Sequence, residues 1–219
     1  MRLRFYAQSA FHITADDGTR IMIDPYTQSE RFRYDATFDE ADIVLVTHEH
    51  GDHNNVDAVP GDFQVVRGIG GHSARGMEFL GIGSYHDQEQ GASRGPNTIF
   101  VFDVDGVRVA HMGDQGCELE PDQVAQLRGV NVMLAPVGGG PTLDPDLIWA
   151  LAEAVQPNVF VPCHFKTPDI DLDIITVDQF VEGKPNVRRA GSSEVTLSAG
   201  VLPEPSPEGP QILVLDRSR

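Results

Sequence analysis

Between Thr47 and His53 the chain reads Thr-His-Glu-His-Gly-Asp-His, which places three imidazoles and the Asp52 carboxylate within six consecutive positions. Imidazole and carboxylate together suit Zn²⁺ and related transition ions, and a cluster this dense is hard to keep in a fold for packing alone. The apolar run Ile43-Val44-Leu45-Val46 just before it reads as a buried strand, and Gly51 allows a sharp turn where that strand ends. In extended backbone His48 and His50 project to the same side. Beyond the turn, Asp52 and His53 can address a second point in the same cavity. The sequence therefore predicts a metal site at the end of a strand, with donors enough for two ions.

The pattern His48-x-His50-x-Asp52-His53 resembles the signature of the metallo-β-lactamase superfamily. Further segments follow in the order that this resemblance implies. Ser84-Tyr85-His86-Asp87, followed by Arg94-Gly95-Pro96-Asn97-Thr98, is similar to the third-His segment of the broad metal-dependent hydrolase branch. His111-Met112-Gly113-Asp114 is similar to the segment ending in Gly-Asp, and Val161-Pro162-Cys163-His164-Phe165-Lys166-Thr167 to the strand that delivers a last His. Ile23-Asp24-Pro25 and Pro136-Val137-Gly138-Gly139-Gly140 match two further family segments, so the likeness runs through most of the chain. Cys163 and Phe165 depart from it, standing where the branch often has Met and Tyr.

The resemblance implies an α+β fold, the four-layer αβ/βα metallo-β-lactamase sandwich, and a dinuclear site. His48, His50 and His86 would hold one metal, Asp52, His53 and His164 the other, and Asp114 would bridge them. The implied cofactors are two divalent ions, with Zn²⁺ favoured by the His-rich donor set and Mn²⁺ or Fe able to use the same ligands. The implied activity is metal-dependent hydrolysis of a small ester, lactone or phosphodiester by a hydroxide held between the ions. Asp52 is the candidate to orient that hydroxide. His111, three residues before the bridging position, is a candidate for proton transfer or ligand support. Gly139, Thr142 and Lys166 are candidates for contacting substrate. The branch includes ascorbate-phosphate lactonases and a phospholipase D acting on N-acyl phosphatidylethanolamines. A di-iron redox or sensing protein on the same fold is the alternative, although redox relatives usually carry Glu where position 50 is His.

With 33 acidic against 16 basic residues, the chain has a formal charge of −17, and it lacks the Lys and Arg clusters that phosphate backbones require. Nucleic acid is excluded as the expected partner; a small molecule is favoured, an anionic one included, because two divalent ions would reverse the local potential. The start Met1-Arg2-Leu3-Arg4 has no apolar signal segment and no long apolar run follows, so a cytoplasmic location without a membrane span is expected. Cys117 and Cys163 are too few for a disulfide framework. A single domain spanning 1–219 is expected.

Strands are predicted at Leu3-Tyr6, Phe11-Thr14, Arg20-Ile23, Ile43-Val46, Phe63-Val66, Thr98-Phe102, Val107-His111, Val132-Ala135, Val159-Val161 and Gln211-Leu215. Helices are predicted at Pro121-Leu127, at Asp144-Val155 with Asp144 as cap, and from Thr176 with Gln179 closing a capping box. The Pro-rich stretch Pro203-Pro210 is read as a loop.

Overall fold

The apolar strands of this chain pair into two sheets that share one core. A computed structural model describes residues 1–218. The first sheet has six strands. A meander of β1 (Arg2–Ala7), β2 (Ala10–Thr14) and β3 (Arg20–Ile23) is antiparallel; β4 (Ile43–Val46) and β5 (Gln64–Arg67) then extend it in parallel. The second sheet begins with antiparallel β6 (Gly70–Ala74), β7 (Met77–Tyr85), β8 (Pro96–Val104) and β9 (Val107–His111). It continues in parallel through β10 (Val132–Pro136) and β11 (Val159–Cys163). Two short late strands were not predicted: the exposed β12 (Val187–Arg189), at the far edge of the second sheet, and the partly buried β13 (Glu194–Thr196), which returns to β1. β14 (Gln211–Val214) lies between β12 and β11.

Side chains alternate across each strand, so the faces of one strand can join different cores. Ile21, Ile23, Ile43 and Leu45 turn inward to meet Phe100, Val109 and Leu134 of the second sheet. Met22, Val44 and Val46 turn outward to a smaller cluster with Tyr26, Tyr34 and Phe38. Both faces of β3 and β4 are thus buried, which is why they read as unbroken apolar runs.

The outer face of the second sheet is covered by helices. In α2 (Pro145–Val155), Ile148, Ala152 and Val155 fall at helical spacing on the buried side. Asp144 caps this helix by accepting from the Asp146 amide, and Gln156 ends it in a left-handed conformation. α1 (Pro121–Gln126) starts at a capping box of Glu120 and Gln123, and α3 (Val177–Val181) at one of Thr176 and Gln179. Over the first sheet, the outer layer is built differently: irregular chain around Tyr26–Phe38, the short 3₁₀ turn Val56–Ala58 and the 170–174 segment cover it. The architecture is the expected αβ/βα sandwich, with that layer formed largely by loops. No described helix is long and apolar enough to cross a membrane.

The sequence reading gave no strand at β6 or β7 and made β8 too short. Gly70, Gly71, Gly81 and Gly83 interrupt the apolar pattern there. At Gly81 an added Cβ would lie 2.1 Å from the Gly68 carbonyl oxygen, so the residue is required by close packing of two chain segments.

Candidate metal centre

Parallel strands deliver their carboxyl ends to a common edge, and this edge is where open α/β sheets gather polar chemistry. The Thr47–His53 run leaves β4 at that edge. His86 follows β7, Asp114 follows β9 and His164 follows β11, so both sheets contribute. Two groups of donors result: His48, His50 and His86, and Asp52, His53, Asp114 and His164. Within each group the donor atoms lie within 4.8 Å of one another.

The focus is the Asp114 carboxylate. Its Oδ2 is 3.2 Å from His53 Nε2, 3.2 Å from His86 Nε2, 3.3 Å from His164 Nε2 and 3.9 Å from His48 Nε2. Asp52 Oδ2 lies 3.6 Å from His53 Nε2. On the other side, the rings of His48, His50 and His86 pack at centroid separations of 4.7, 5.0 and 5.1 Å.

Behind these groups stands Asp24, fully buried at the end of β3. Its Oδ2 accepts from His53 Nδ1 (3.0 Å), His111 Nε2 (2.9 Å) and the Thr47 hydroxyl (2.8 Å), and its Oδ1 accepts the Thr47 amide (2.9 Å). Because the Thr47 hydroxyl donates to Asp24, its oxygen is left to accept from His48 Nδ1 at 3.0 Å. The protons of His48 and His53 are thereby fixed on Nδ1 in their neutral forms, and each Nε2 lone pair is directed inward. This is a metal-ligand tautomer. His48 Nε2, His53 Nε2 and Asp114 Oδ1 are buried without hydrogen-bond partners, a state expensive to maintain unless a cation completes it. The donor set is nitrogen and oxygen only, and it fits divalent transition ions.

Charge follows geometry. Burial pushes the Asp24 carboxyl up, but hydrogen bonds and charge from His111 and His53 take it well below the usual carboxylate range. Burial likewise opposes ionisation of Asp52 and Asp114, yet neighbouring imidazoles hold Asp52 down at about 2 and Asp114 well below its ordinary value. Burial and the adjacent His53 lower His48 to about 3. For His53 burial works downward and is outweighed by Asp114 and Asp52, which raise it well above the ordinary imidazole value. A proton in the metal-free chain and a metal ion compete for this nitrogen.

The other predicted residues fall elsewhere. His111 is fully buried and spends Nε2 on Asp24, so it backs His53 and does not reach the cavity. Lys166 donates Nζ to the Leu172 carbonyl at 2.6 Å. Gly139 and Thr142 line a neighbouring cavity with Gln88, Asp144 and Asp173, and this cavity contains none of the clustered donors. Gly138 has a packing duty: a Cβ there would meet the His164 carbonyl oxygen at 2.3 Å. His12 and His72 bond to backbone carbonyls of Glu40 and Gly68. Cys163 is buried, and burial raises its thiol far above its ordinary value, so it is not a reactive thiolate.

Three residues to which the sequence reading gave no role support the site, Asp24 among them. Gln8 donates to Asp52 Oδ2 at 3.0 Å while its backbone carbonyl accepts the His164 amide at 2.8 Å. Asn97 accepts the Asp114 amide and donates to the Met112 carbonyl. Asp24, Gln8 and His164 all have positive φ values (47°, 54° and 48°), and such strain in non-glycine residues concentrates at functional sites.

Residues 2–164 match the family model described as a beta-lactamase superfamily domain. A metal-dependent hydrolase of Thermococcus onnurineus is 27% identical over 215 residues, covering 85% of this chain and 95% of the relative. One from Staphylococcus carnosus is 26% identical over 199 residues, covering 76% and 86%. A crystal structure from Thermotoga maritima, assigned to the Zn-dependent hydrolases of the metallo-β-lactamase superfamily, superimposes with a TM-score of 0.78. It is 26% identical and covers 98% of this chain and 97% of that one.

Proposed function

This chain belongs to the beta-lactamase superfamily, and from that premise we propose that it is a metal-dependent hydrolase working with two divalent ions, Zn²⁺ in the first instance, on a small ester, lactone or phosphodiester. His48, His50 and His86 would hold one ion. Asp52, His53 and His164 would hold the other, with Asp114 between them. The observation that carries this reading is the convergence of four imidazole Nε2 atoms on one buried carboxylate oxygen, with His48 and His53 Nε2 and Asp114 Oδ1 otherwise unpartnered.

When bound, the ions supply Lewis-acid activation of water and of the carbonyl or phosphoryl oxygen under attack. The protein's own part is positioning. Asp24 holds His53 directly and His48 through Thr47, so neither ring can rotate without breaking a buried hydrogen bond. Gln8 occupies Asp52 Oδ2 and fixes the carboxylate plane, so that Asp52 would be held in place to orient the attacking water. His111 donates Nε2 to Asp24 from behind and acts as a positioning residue. The cavity that His50, Asp52, His86, Asp114 and His164 share with Phe32 and Leu172 has a volume of about 340 Å³, which suits a small substrate.

Elemental analysis of purified protein, run beside turnover of bis(p-nitrophenyl) phosphate and a lactone panel, tests the proposal. Two metals per chain and turnover abolished by Asp52→Ala are expected. Absence of metal after reconstitution, or turnover indifferent to Asp52→Ala, would overturn it.

A further inference from the structure

In a chain this acidic, arginines are quickly neutralised. Arg2, Arg4, Arg20, Arg67, Arg75, Arg108, Arg189 and Arg217 all pair with carboxylates, and Arg33 donates to backbone carbonyls. Among the described residues, the guanidiniums left without an ion pair or hydrogen bond are those of Arg31, Arg94, Arg128 and Arg188. Two of these four, Arg31 and Arg94, line the cavity that holds the metal-donor residues.

Their backbones are held firmly while their side chains stay free. The carbonyl of Arg31 accepts the Asp171 amide at 2.8 Å, and the adjoining Phe32 bridges to Ile170, so a short ladder carries Arg31 to the rim. Arg94 ends a loop wound about the Asp87 carboxylate, which accepts the amides of Glu89, Gly91, Ser93 and Arg94 itself at 2.6–3.0 Å. Asp87 directly follows His86, so the loop ties Arg94 to a metal donor. Arg94 and His50 also line a second cavity of about 330 Å³, which puts Arg94 on the border of both spaces.

Building on the hydrolase reading above, we propose that Arg31 and Arg94 form an anion clamp, and that the substrate carries an oxyanion group, carboxylate or phosphate, apart from the bond that is cut. Guanidinium is suited to this task because it cannot lose its proton and presents paired donors that match a carboxylate or phosphate. The distribution of charge agrees: a chain of net charge −17 disfavours anions in general, and the unpaired Arg31 and Arg94 guanidiniums offset this at the cavity of the metal donors. Substrate selection would then rest on the two rim arginines, while the buried donors perform the chemistry common to any substrate.

The test compares mono(4-nitrophenyl) glutarate, which carries a remote carboxylate, with neutral 4-nitrophenyl butyrate on the metal-loaded protein. The wild type is expected to favour the anionic ester at least tenfold in kcat/KM. Arg31→Gln and Arg94→Gln are each expected to lower that preference by about tenfold, chiefly through KM, and added salt to shrink it. Arg128→Gln, unpaired but outside the cavity, serves as the unchanged control. Competition by succinate and by inorganic phosphate separates the two anion sources. Equal turnover of both esters by the wild type, or a preference untouched by either variant, overturns the clamp and leaves the hydrolase intact. If neither ester is cut, the hydrolase reading loses support. Calorimetry of inorganic phosphate with metal-loaded Arg31→Gln/Arg94→Gln then decides the clamp: binding at least tenfold weaker than wild type supports it, equal binding refutes it.

Discussion

At their amino ends, β3 and β4 carry Arg20 and, just before β4, Glu40 and Asp42; at their carboxyl ends they carry Asp24 and the Thr47–His53 run. The amino end is complete in itself. Arg20 makes a fork to Asp42, with Nε and Nη2 each at 3.0 Å from a carboxylate oxygen, and reaches Glu40 at 2.7 Å; all three side chains retain contact with water. The carboxyl end is incomplete. It buries imidazoles and carboxylates more deeply than almost any other charged groups in the chain and leaves inward-facing lone pairs without partners. Local consistency explains the first end as part of the fold. The second violates it, and a violation concentrated at one place is the mark of a site retained for function. Stability and function therefore divide along the length of the same two strands.

The largest effect should come from the residue at the centre of the incomplete end. Asp114→Ala removes the oxygen on which four imidazoles converge, and both donor groups lose their shared carboxylate. Activity is expected to fall by roughly 10³-fold or more, with metal content dropping from two per chain. Retention of two metals and near-normal turnover would mean that the convergence is incidental. Metal itself should fill the gap in stability. At free metal about 100-fold above its dissociation constant, each occupied site should add about 2.7 kcal/mol, or roughly 5–10 °C in Tm for a chain of this size. Differential scanning calorimetry with and without chelator reads this directly, and an unchanged Tm would refute the idea that the cluster is unsatisfied without a cation.

The two ends also differ in how far the sequence announced them. His48, His50, Asp52 and His53 are conspicuous because their spacing is local, and one strand and one turn suffice to aim them. His86, Asp114 and His164 become meaningful only through the resemblance, because nothing within their own segments says that three strand ends meet. Asp24 and Asn97 stood in matched segments without an assigned role, and Gln8 stayed hidden. Each finds its partners far along the chain, 87 residues away for Asp24–His111 and 15 for Asn97–Met112. Thr142 and Lys166 show the converse. They sit in segments of the right family pattern, yet Thr142 turns its hydroxyl to the Gly139 carbonyl and Lys166 its amine to the Leu172 carbonyl. Segment matching places a backbone; it does not aim a side chain. The same limit applies to β6 and β7, where glycines, those of β7 packed closely against the chain around Gly68 and Ile69, erase the periodicity that would have revealed the strands.

Asp24→Asn sharpens the contrast within the carboxyl end. The amide keeps the shape but replaces a charged acceptor of several donors with a weaker one, so the tautomers of His53 and His48 are no longer fixed. Losses of this class are about 10- to 100-fold in metal affinity or activity. The effect should be greater for the ion near His53, which Asp24 touches directly, than for the ion near His48, which it touches through Thr47. Metal titration that resolves two binding events checks the asymmetry. Equal weakening of both would show that Asp24 acts through global stability.

Asp42→Asn should be the smallest change, and it probes the opposite end. The fork from Arg20 holds the Asp42 carboxyl below its ordinary value and outweighs the opposing effect of burial. A lowered folded-state value means that this stabilisation is fully present above the unfolded value near about 3.9. It is lost as pH falls through the lower folded value. Because both side chains keep contact with water, the pair's worth is at most about 1 kcal/mol, and salt should reduce it. At pH 7 the variant should therefore melt slightly below wild type, and the difference should close on acidification below about pH 4. Metal content and turnover should match wild type throughout, since Asp42 lies a full strand length from the donors. A catalytic defect in Asp42→Asn of the size expected for Asp24→Asn would erase the division between the two ends, because charge at the amino end would then be acting on the site.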